Sequence, residues 1–380
     1  MLFIRSALPL RALIALLAVL LIAACGAPAA SDDASTGNTQ AGAAAATTDA
    51  PSADATTAAQ ASVAASTAVA ADRQGWPETF RVGYFGGDDA EELLRSNEPF
   101  RVYMEEKLGL PVELFTGTSY SAVIEAMRAE RVDAMSVGPF SYILAVQEAQ
   151  AEALGVGVST RAEPAVYDPE LLPYYYSAIF TKKGNGITSL EDLRGKDFNF
   201  VDPASTSGHL IPKAYLLNNG IDPDQDMTTV FAGSHPTSVI AVWNDKASAG
   251  TATISTLYNQ DEEGLVEFCE FADGPPNQRR TVEQIKAHFD SCPDGELVVL
   301  ALSDPIPNTP FAIRSNLPDS FKASVKEALL AIKDDAELVA ATKRWYVDPA
   351  PELGLETLDQ FYNPLREVAK LLDLDLRELD

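Results

Sequence analysis

The feature that most constrains this chain is a local order that recurs along it: apolar strand, glycine turn, helix. Phe80-Arg81-Val82-Gly83-Tyr84-Phe85-Gly86-Gly87 reads as a strand running into a turn, and a helix is predicted over 90–108, closed by Gly109. Residues 111–115 alternate as a strand, 118–121 open a helix over 122–130, 133–138 form the next strand, and Pro139-Phe140-Ser141-Tyr142 start another helix. Such β-α alternation predicts a mostly parallel sheet with helices on its faces. Ligands of such sheets bind beyond the C-terminal strand ends, where Tyr84, Tyr120 and the turn carrying Tyr142 fall.

The same order returns in the second half with more chemistry in the turn. Phe198-Asn199-Phe200-Val201 reads as a buried strand and 210–218 as a helix closed by Asn219-Gly220. Between them lies Asp202-Pro203-Ala204-Ser205-Thr206-Ser207-Gly208-His209. The first N–H groups of a helix lack intrahelical partners, and the helix dipole adds partial positive charge there. Ser205, Thr206 and Ser207 add hydroxyl donors, and Gly208 leaves room for a ligand, so the stretch can cradle a tetrahedral oxyanion. Plain helix capping is the competing reading, since Ser and Thr are preferred N-caps. No Lys follows the glycine as a P-loop requires. Residues 229–235 repeat the order, with His235, one of three histidines, at the start of a helix over 236–244.

The N-terminus reads as an export signal over 1–24, with Arg5 and Arg11 before an apolar core that is short for a bilayer span. Ile22-Ala23-Ala24-Cys25-Gly26 resembles a bacterial lipobox, which implies lipid attachment to Cys25; an ordinary secretory signal is the alternative. Residues 25–75, rich in Ala, Thr and Ser, cannot bury enough apolar surface to order themselves and are expected to be a disordered tether. The formal charge of −27 makes nucleic acid a poor partner. It also means that an anion site must work through local donors, with distant repulsion screened by salt. Cys269 and Cys292 are expected to pair in an export compartment, two unpaired thiols being the alternative. No CxxC or His-rich metal spacing occurs, and no metal or cofactor is expected.

Three adjacent tyrosines, Tyr174, Tyr175 and Tyr176, precede a strand and cannot all face one way in an extended chain. Residues 261–295 look like an acidic insertion, expected to be a surface flap. Residues 297–302 are a buried strand, 303–310 are too proline-rich for a central strand and read as a loop or crossover, 311–314 are a strand, and 321–332 and 336–344 are amphipathic helices.

Taken in order, several stretches resemble the substrate-binding lipoproteins of phosphate/phosphite/phosphonate ABC transporters. They are Thr118–Tyr120, Val132-Asp133, Gly138-Pro139, Tyr175, Leu190–Lys196, Asp202–Gly208, Gly233-Ser234-His235 and Ser303–Pro310. The resemblance covers about residues 80–362. It implies an α/β, two-lobed periplasmic-binding-protein fold (type II), each lobe a mixed sheet flanked by helices, with two crossover segments. Lobe 1 would comprise 76–178 and 303–380, and lobe 2 would comprise 179–302, with exchanges near 178–181 and 302–311. The resemblance further implies that Ser205 and Thr206 hold a phosphorus oxyanion, that Ser207 and Gly208 line the same turn, and that His235, Tyr120 and Tyr175 complete the cleft. Tyr84 and Tyr142 are added from their strand-end positions. The two carboxylates that meet the ammonium of aminoalkylphosphonates in this family align with Ser255 and Thr309, so a smaller or uncharged ligand is expected.

The implied protein is an extracytoplasmic, lipid-anchored monomer that hands a small oxyanion to an ABC permease and is not an enzyme. Three alternatives remain: a binding protein or sensor for another oxyanion such as sulfonate or nitrate, an exported phosphoryl-transfer enzyme using Ser205 with His235, or an adhesion protein whose cleft is incidental.

Overall fold

The computed structural model describes residues 73–372 apart from 88, 89, 273, 275 and 276. The expected signal segment, Cys25 and all but the end of the expected tether lie outside the described residues. No helix among the described residues is long and apolar enough to cross a membrane.

The chain first lays down β1 (Phe80–Phe85), β2 (Val112–Gly117), β3 (Ala134–Ser136) and β4 (Ala151–Ser159). It then makes a short β5 (Tyr174–Tyr175) and moves to a second sheet. That sheet holds β6 (Ser177–Lys182), β7 (Asp197–Phe200), β8 (Thr228–Phe231), β9 (Ala249–Thr253) and β10 (Leu297–Leu302). After a short β11 (Ile306–Pro307) it returns with β12 (Pro310–Arg314) and β13 (Arg344–Val347). The six-stranded sheet runs β13-β4-β12-β3-β1-β2, the five-stranded sheet β10-β6-β9-β7-β8. This is the two-lobed periplasmic-binding-protein fold. Both crossing segments pass one place, where β5 and β11 pair antiparallel, Ile306 opposite Tyr175.

Among the strands of the two sheets in the described residues, parallel pairing joins β1 with β2 and β3, and β7 with β8 and β9. These neighbours are joined by helical crossovers, which return the chain to the same edge. The strands that enter from the other sheet, β12 and β6, pair antiparallel. The sheets are therefore mixed, as the resemblance implies, rather than mostly parallel, as the alternation alone predicts. The N-terminal ends of β12 and β13 consequently share an edge with the C-terminal ends of β1 and β3.

The six-stranded sheet is covered on both faces. Phe80, Phe100, Met104, Phe311, Phe321 and Trp345 pack in one cluster. Val123, Met127, Phe140, Ile143 and Tyr362 pack in another. Asp133, fully buried, ties three strands together: it accepts from the Arg81 N–H and guanidinium and from Arg314 Nη2 at 2.8 Å. The helix predicted over 90–108 is broken into Ala90–Ser96 and Glu98–Leu108, because Pro99 cannot sit inside a helix and suits a helix start.

The segment 261–295 is not a surface flap. Val266, Phe268, Phe271 and Ile285 are buried in the same cluster as Tyr258 and Leu297. Phe268 bridges to Leu297 in the sheet, and a disulfide joins Cys269 to Cys292, with Cα atoms 5.9 Å apart. Its acidic composition masked these aromatics, which are spaced too irregularly to read as one element.

Candidate functional site

A cavity of about 250 Å³ opens at the shared strand edge of the two lobes. Its lining includes Tyr84 from the end of β1, Tyr120 after β2, and Ser136, Val137 and Gly138 after β3. The other lobe contributes Ser205, Thr206 and Ser207 after β7, His235 after β8 and Thr253 at the end of β9. Tyr175 on the crossing strand joins them. Every one of these lies where a strand hands over to the next element, as the alternation requires.

The hydroxyl cluster has a defined local cause. Ser205 caps the helix, its Oγ accepting the Gly208 N–H at 3.1 Å. The first turn, Thr206–Leu210, is a wide π-turn in which the Leu210 N–H reaches the Ser205 carbonyl at 3.0 Å. Thr206 and Ser207 are therefore the first two helical residues, whose N–H groups have no intrahelical acceptor. The turn is held from behind: Ser177 Oγ donates to the Ser207 carbonyl at 2.6 Å and Thr251 Oγ1 to the Gly208 carbonyl at 2.7 Å. It is also tied to the other lobe. Thr206 Oγ1 accepts the Phe140 N–H at 2.7 Å, and Ser141 Oγ donates to the Ala204 carbonyl at 2.7 Å.

The tyrosines close over this turn. Tyr120, the first residue of helix Tyr120–Arg128, hydrogen-bonds Ser205, and its ring packs tilted against Phe85 with centroids 4.3 Å apart. Tyr175 hydrogen-bonds the Ser207 and Thr206 side chains. Burial raises the Tyr120 phenol above its ordinary range and the Tyr175 phenol up to about 12, so both stay protonated donors. Of the neighbouring tyrosines, Tyr174 packs on Phe361 and Tyr176 enters the core of the second lobe.

His235 opens helix His235–Trp243, capped by Ser234. Its Nδ1 accepts the Thr253 N–H at 3.2 Å. Burial holds its imidazole down to about 4, so the ring is neutral at pH 7 and its proton sits on Nε2 as a donor.

Two expected residues do not line the cavity. Tyr142 is turned into the first lobe, its hydroxyl donating to Asp359 Oδ1 at 2.8 Å and its ring 5.0 Å from Tyr362. Gly208 is a packing glycine: a Cβ there would stand 2.3 Å from Val201 Cβ. Ser255 is also displaced; Thr253 occupies the lining, with Ser255 Oγ 3.1 Å from its hydroxyl. Thr309 lines the cavity.

Sequence reasoning missed Asn97 and Arg344. Arg344 was read as the end of a helix over 336–344. That helix stops at Thr342, Lys343 takes a left-handed conformation, and Arg344 opens β13. The consecutive aromatic and β-branched residues Trp345-Tyr346-Val347, which favour a strand, were the available signal. Among the described residues, no carboxylate lines the cavity. The group Cys269, His288 and Cys292 is elsewhere, and its thiols are bonded to each other rather than free for a metal.

The model of the family described as the periplasmic substrate-binding protein of phosphonate ABC transporters matches residues 82–352. The phosphate-import protein PhnD of Mycolicibacterium smegmatis is 32% identical over 188 residues, 47% of this chain and 56% of that protein. The phosphonates-binding periplasmic protein of Escherichia coli is 31% identical over 194 residues, 49% of this chain and 54% of that protein. The chain thus spans about half the length of the curated relatives it matches. Among solved structures, PhnD1 of Prochlorococcus marinus in complex with methylphosphonate aligns with a TM-score of 0.57 at 15% identity, over 78% of this chain and 99% of that one. A binding component of an ABC phosphonate transporter from Pseudomonas aeruginosa aligns with a TM-score of 0.56 at 23% identity, over 79% and 96%. At these identities the structural likeness bears on the fold, and the family rests on the sequence match: the chain belongs to the periplasmic substrate-binding proteins of phosphonate ABC transporters.

Proposed function

We propose that the protein is the extracytoplasmic substrate-binding component of an ABC importer and captures a small phosphorus oxyanion, phosphite, phosphate or a small phosphonate, between its lobes. The observation that carries this reading is the convergence of Ser205, Thr206, Ser207, Tyr120, Tyr175 and His235 on one cavity with no carboxylate in its described lining. Donors outnumber fixed acceptors there, which suits an anion with several oxygens. The ligand phosphonate or phosphate group would sit on the π-turn, and a permease would recognise the closed lobes. We also place the lobe exchanges at the paired β5 and β11, with a lipid on Cys25 as the membrane anchor and the chain acting as a monomer.

A size argument points the same way. Ligand pockets for drug-sized molecules run from about 300 Å³ upward, so about 250 Å³ suits a compact ligand. The enzyme alternative finds little support in the geometry. Ser205 Oγ is engaged by Gly208, and His235 presents a protonated Nε2 with its Nδ1 already occupied, so no base is poised to activate the serine.

The lining offers no ionised group for an ammonium at Thr253 or Thr309, so 2-aminoethylphosphonate is not expected to be the preferred ligand. Thermal shift with phosphite, phosphate, methylphosphonate, 2-aminoethylphosphonate, sulfate, nitrate and an alkanesulfonate tests the ligand class. A phosphorus oxyanion should raise the melting temperature most. Stabilisation by sulfonate or nitrate alone, or by aminoethylphosphonate far above the others, would contradict it.

A further inference from the structure

The cavity also draws on strand β13, which β4 and β12 separate from β3, whose following Gly138 faces Thr206 of the hydroxyl turn. Arg344 lines the cavity from the edge strand of the first lobe, with Asn97, Leu93, Tyr84 and Thr309. Its Nη2 donates to Asn97 Oδ1 at 2.7 Å, and Asn97 Nδ2 is itself held by the Leu93 carbonyl at 2.8 Å, so the guanidinium is aimed rather than loose. Its aliphatic and ring surroundings are apolar: the guanidinium carbon is 5.8 Å from the Tyr346 ring and 6.0 Å from that of Phe100. No carboxylate among the described residues lies within ion-pair distance of it, although the other arginines of the first lobe's framework, Arg81 and Arg314, share Asp133. A half-buried cation without an anion is costly unless something pairs with it.

A second observation falls at the same place. Tyr84 lines the cavity and is only 4% exposed, and its buried hydroxyl has no hydrogen-bond partner. The Tyr346 hydroxyl, in electrostatic reach of both Tyr84 and Arg344, is likewise buried and unpartnered. Two donors, the Arg344 guanidinium fork and the Tyr84 phenol, thus share the cavity lining with the oxyanion turn, while the Tyr346 phenol is buried outside that lining. A guanidinium fork matches a carboxylate in two parallel hydrogen bonds.

Resting on the oxyanion reading of the hydroxyl turn, we propose that Arg344, positioned by Asn97 and assisted by Tyr84, forms a subsite for a second, anionic group of the ligand, so that the favoured ligand is a small phosphonate bearing a carboxylate on its carbon side. The phosphonate oxygens take the Ser205–Ser207 turn and the carboxylate takes the guanidinium. A ligand with an ammonium in that place meets like charge.

Calorimetric titration of the full protein with methylphosphonate, phosphonoacetate, 3-phosphonopropionate and the carboxyl methyl esters of the last two tests this. At least one of the two carboxylates should bind tenfold or more tighter than methylphosphonate, and its ester should lose that gain. Arg344→Gln should bring the carboxylate-to-methyl ratio to about one, with a much larger loss for the carboxylate than for methylphosphonate. Equal weakening of all ligands by Arg344→Gln would assign the arginine to the phosphorus group and overturn the subsite. Ester and free acid binding alike would overturn it without any variant, which covers a substitution that fails to fold. Methylphosphonate binding without any carboxylate gain sinks this inference alone. Failure of every phosphorus oxyanion to bind sinks the oxyanion reading and the inference with it.

Discussion

His235 shows how burial sets a chemical role. Its ring is held to about 4, against about 6.5 for a histidine in an unfolded chain. Between those values the unfolded chain binds a proton that the folded one refuses. The stability gained by burying the neutral ring is therefore complete above pH 6.5 and is lost as the pH falls toward 4. His209, whose Nδ1 lies 2.9 Å from the Pro203 carbonyl, is lowered in the same direction by burial. A pH series of melting temperatures should fall across this window, and His235→Gln should flatten part of the fall. An unchanged slope would mean that His235 does not carry it. The cleft residues legible in the sequence, Ser205, Thr206, Ser207, His235, Tyr120 and Tyr175, share one property: each sits at or beside a strand end marked by a turn. Arg344 was not legible because its strand, at the sheet edge, runs antiparallel to β4. Its N-terminal rather than C-terminal end therefore reaches the cleft, and that direction is fixed only when β13 pairs with β4.

The turn after β7 is the element on which the site depends, and Gly208 sets its path. Val201 donates its N–H to the Gly208 carbonyl at 2.9 Å, which brings the two backbones together with no space for a Cβ. Gly208→Ala should cost about 1–3 kcal/mol, the usual range for overpacking a filled site. It should also weaken ligand binding, because Thr206 and Ser207 move with the turn. Urea unfolding read beside ligand titration checks both, and a variant with wild-type stability would contradict the packing role. From the sequence Gly208 was an obvious special position, but room for a ligand and room for Val201 leave the same trace. The 261–295 segment was misjudged for a related reason: composition reports what is exposed, and Phe268, Phe271 and Ile285 are not. Deleting 261–295 should abolish soluble, folded protein. A soluble deletion variant with wild-type melting would restore the flap.

At the scale of the molecule, the proposed site would hold an anion between two lobes against an unfavourable global charge. The formal charge of −27 repels anions at a distance. Within the cleft, hydrogen bonds to a charged group contribute about 1.5–3 kcal/mol each, and four or five of them can offset an association cost of roughly 4–15 kcal/mol. The lobe architecture was legible from strand–turn–helix order together with the family resemblance. The mixed pairing came with the resemblance and not from the strand–turn–helix order, because a strand's direction depends on which lobe it enters from. The lobes already touch at the site, through Thr206 with Phe140 and Ser141 with Ala204, so the turn is shared between them. The most direct measurement is calorimetric titration of the purified protein with phosphite, phosphate, methylphosphonate and sulfate, beside a Ser205→Ala/Thr206→Ala variant whose folding is checked by melting. Binding of a phosphorus oxyanion at micromolar affinity or better is expected, with a loss of a hundredfold or more in the folded variant. Absence of heat with every phosphorus oxyanion, or unchanged affinity in the variant, would contradict the assignment of the turn as the oxyanion site.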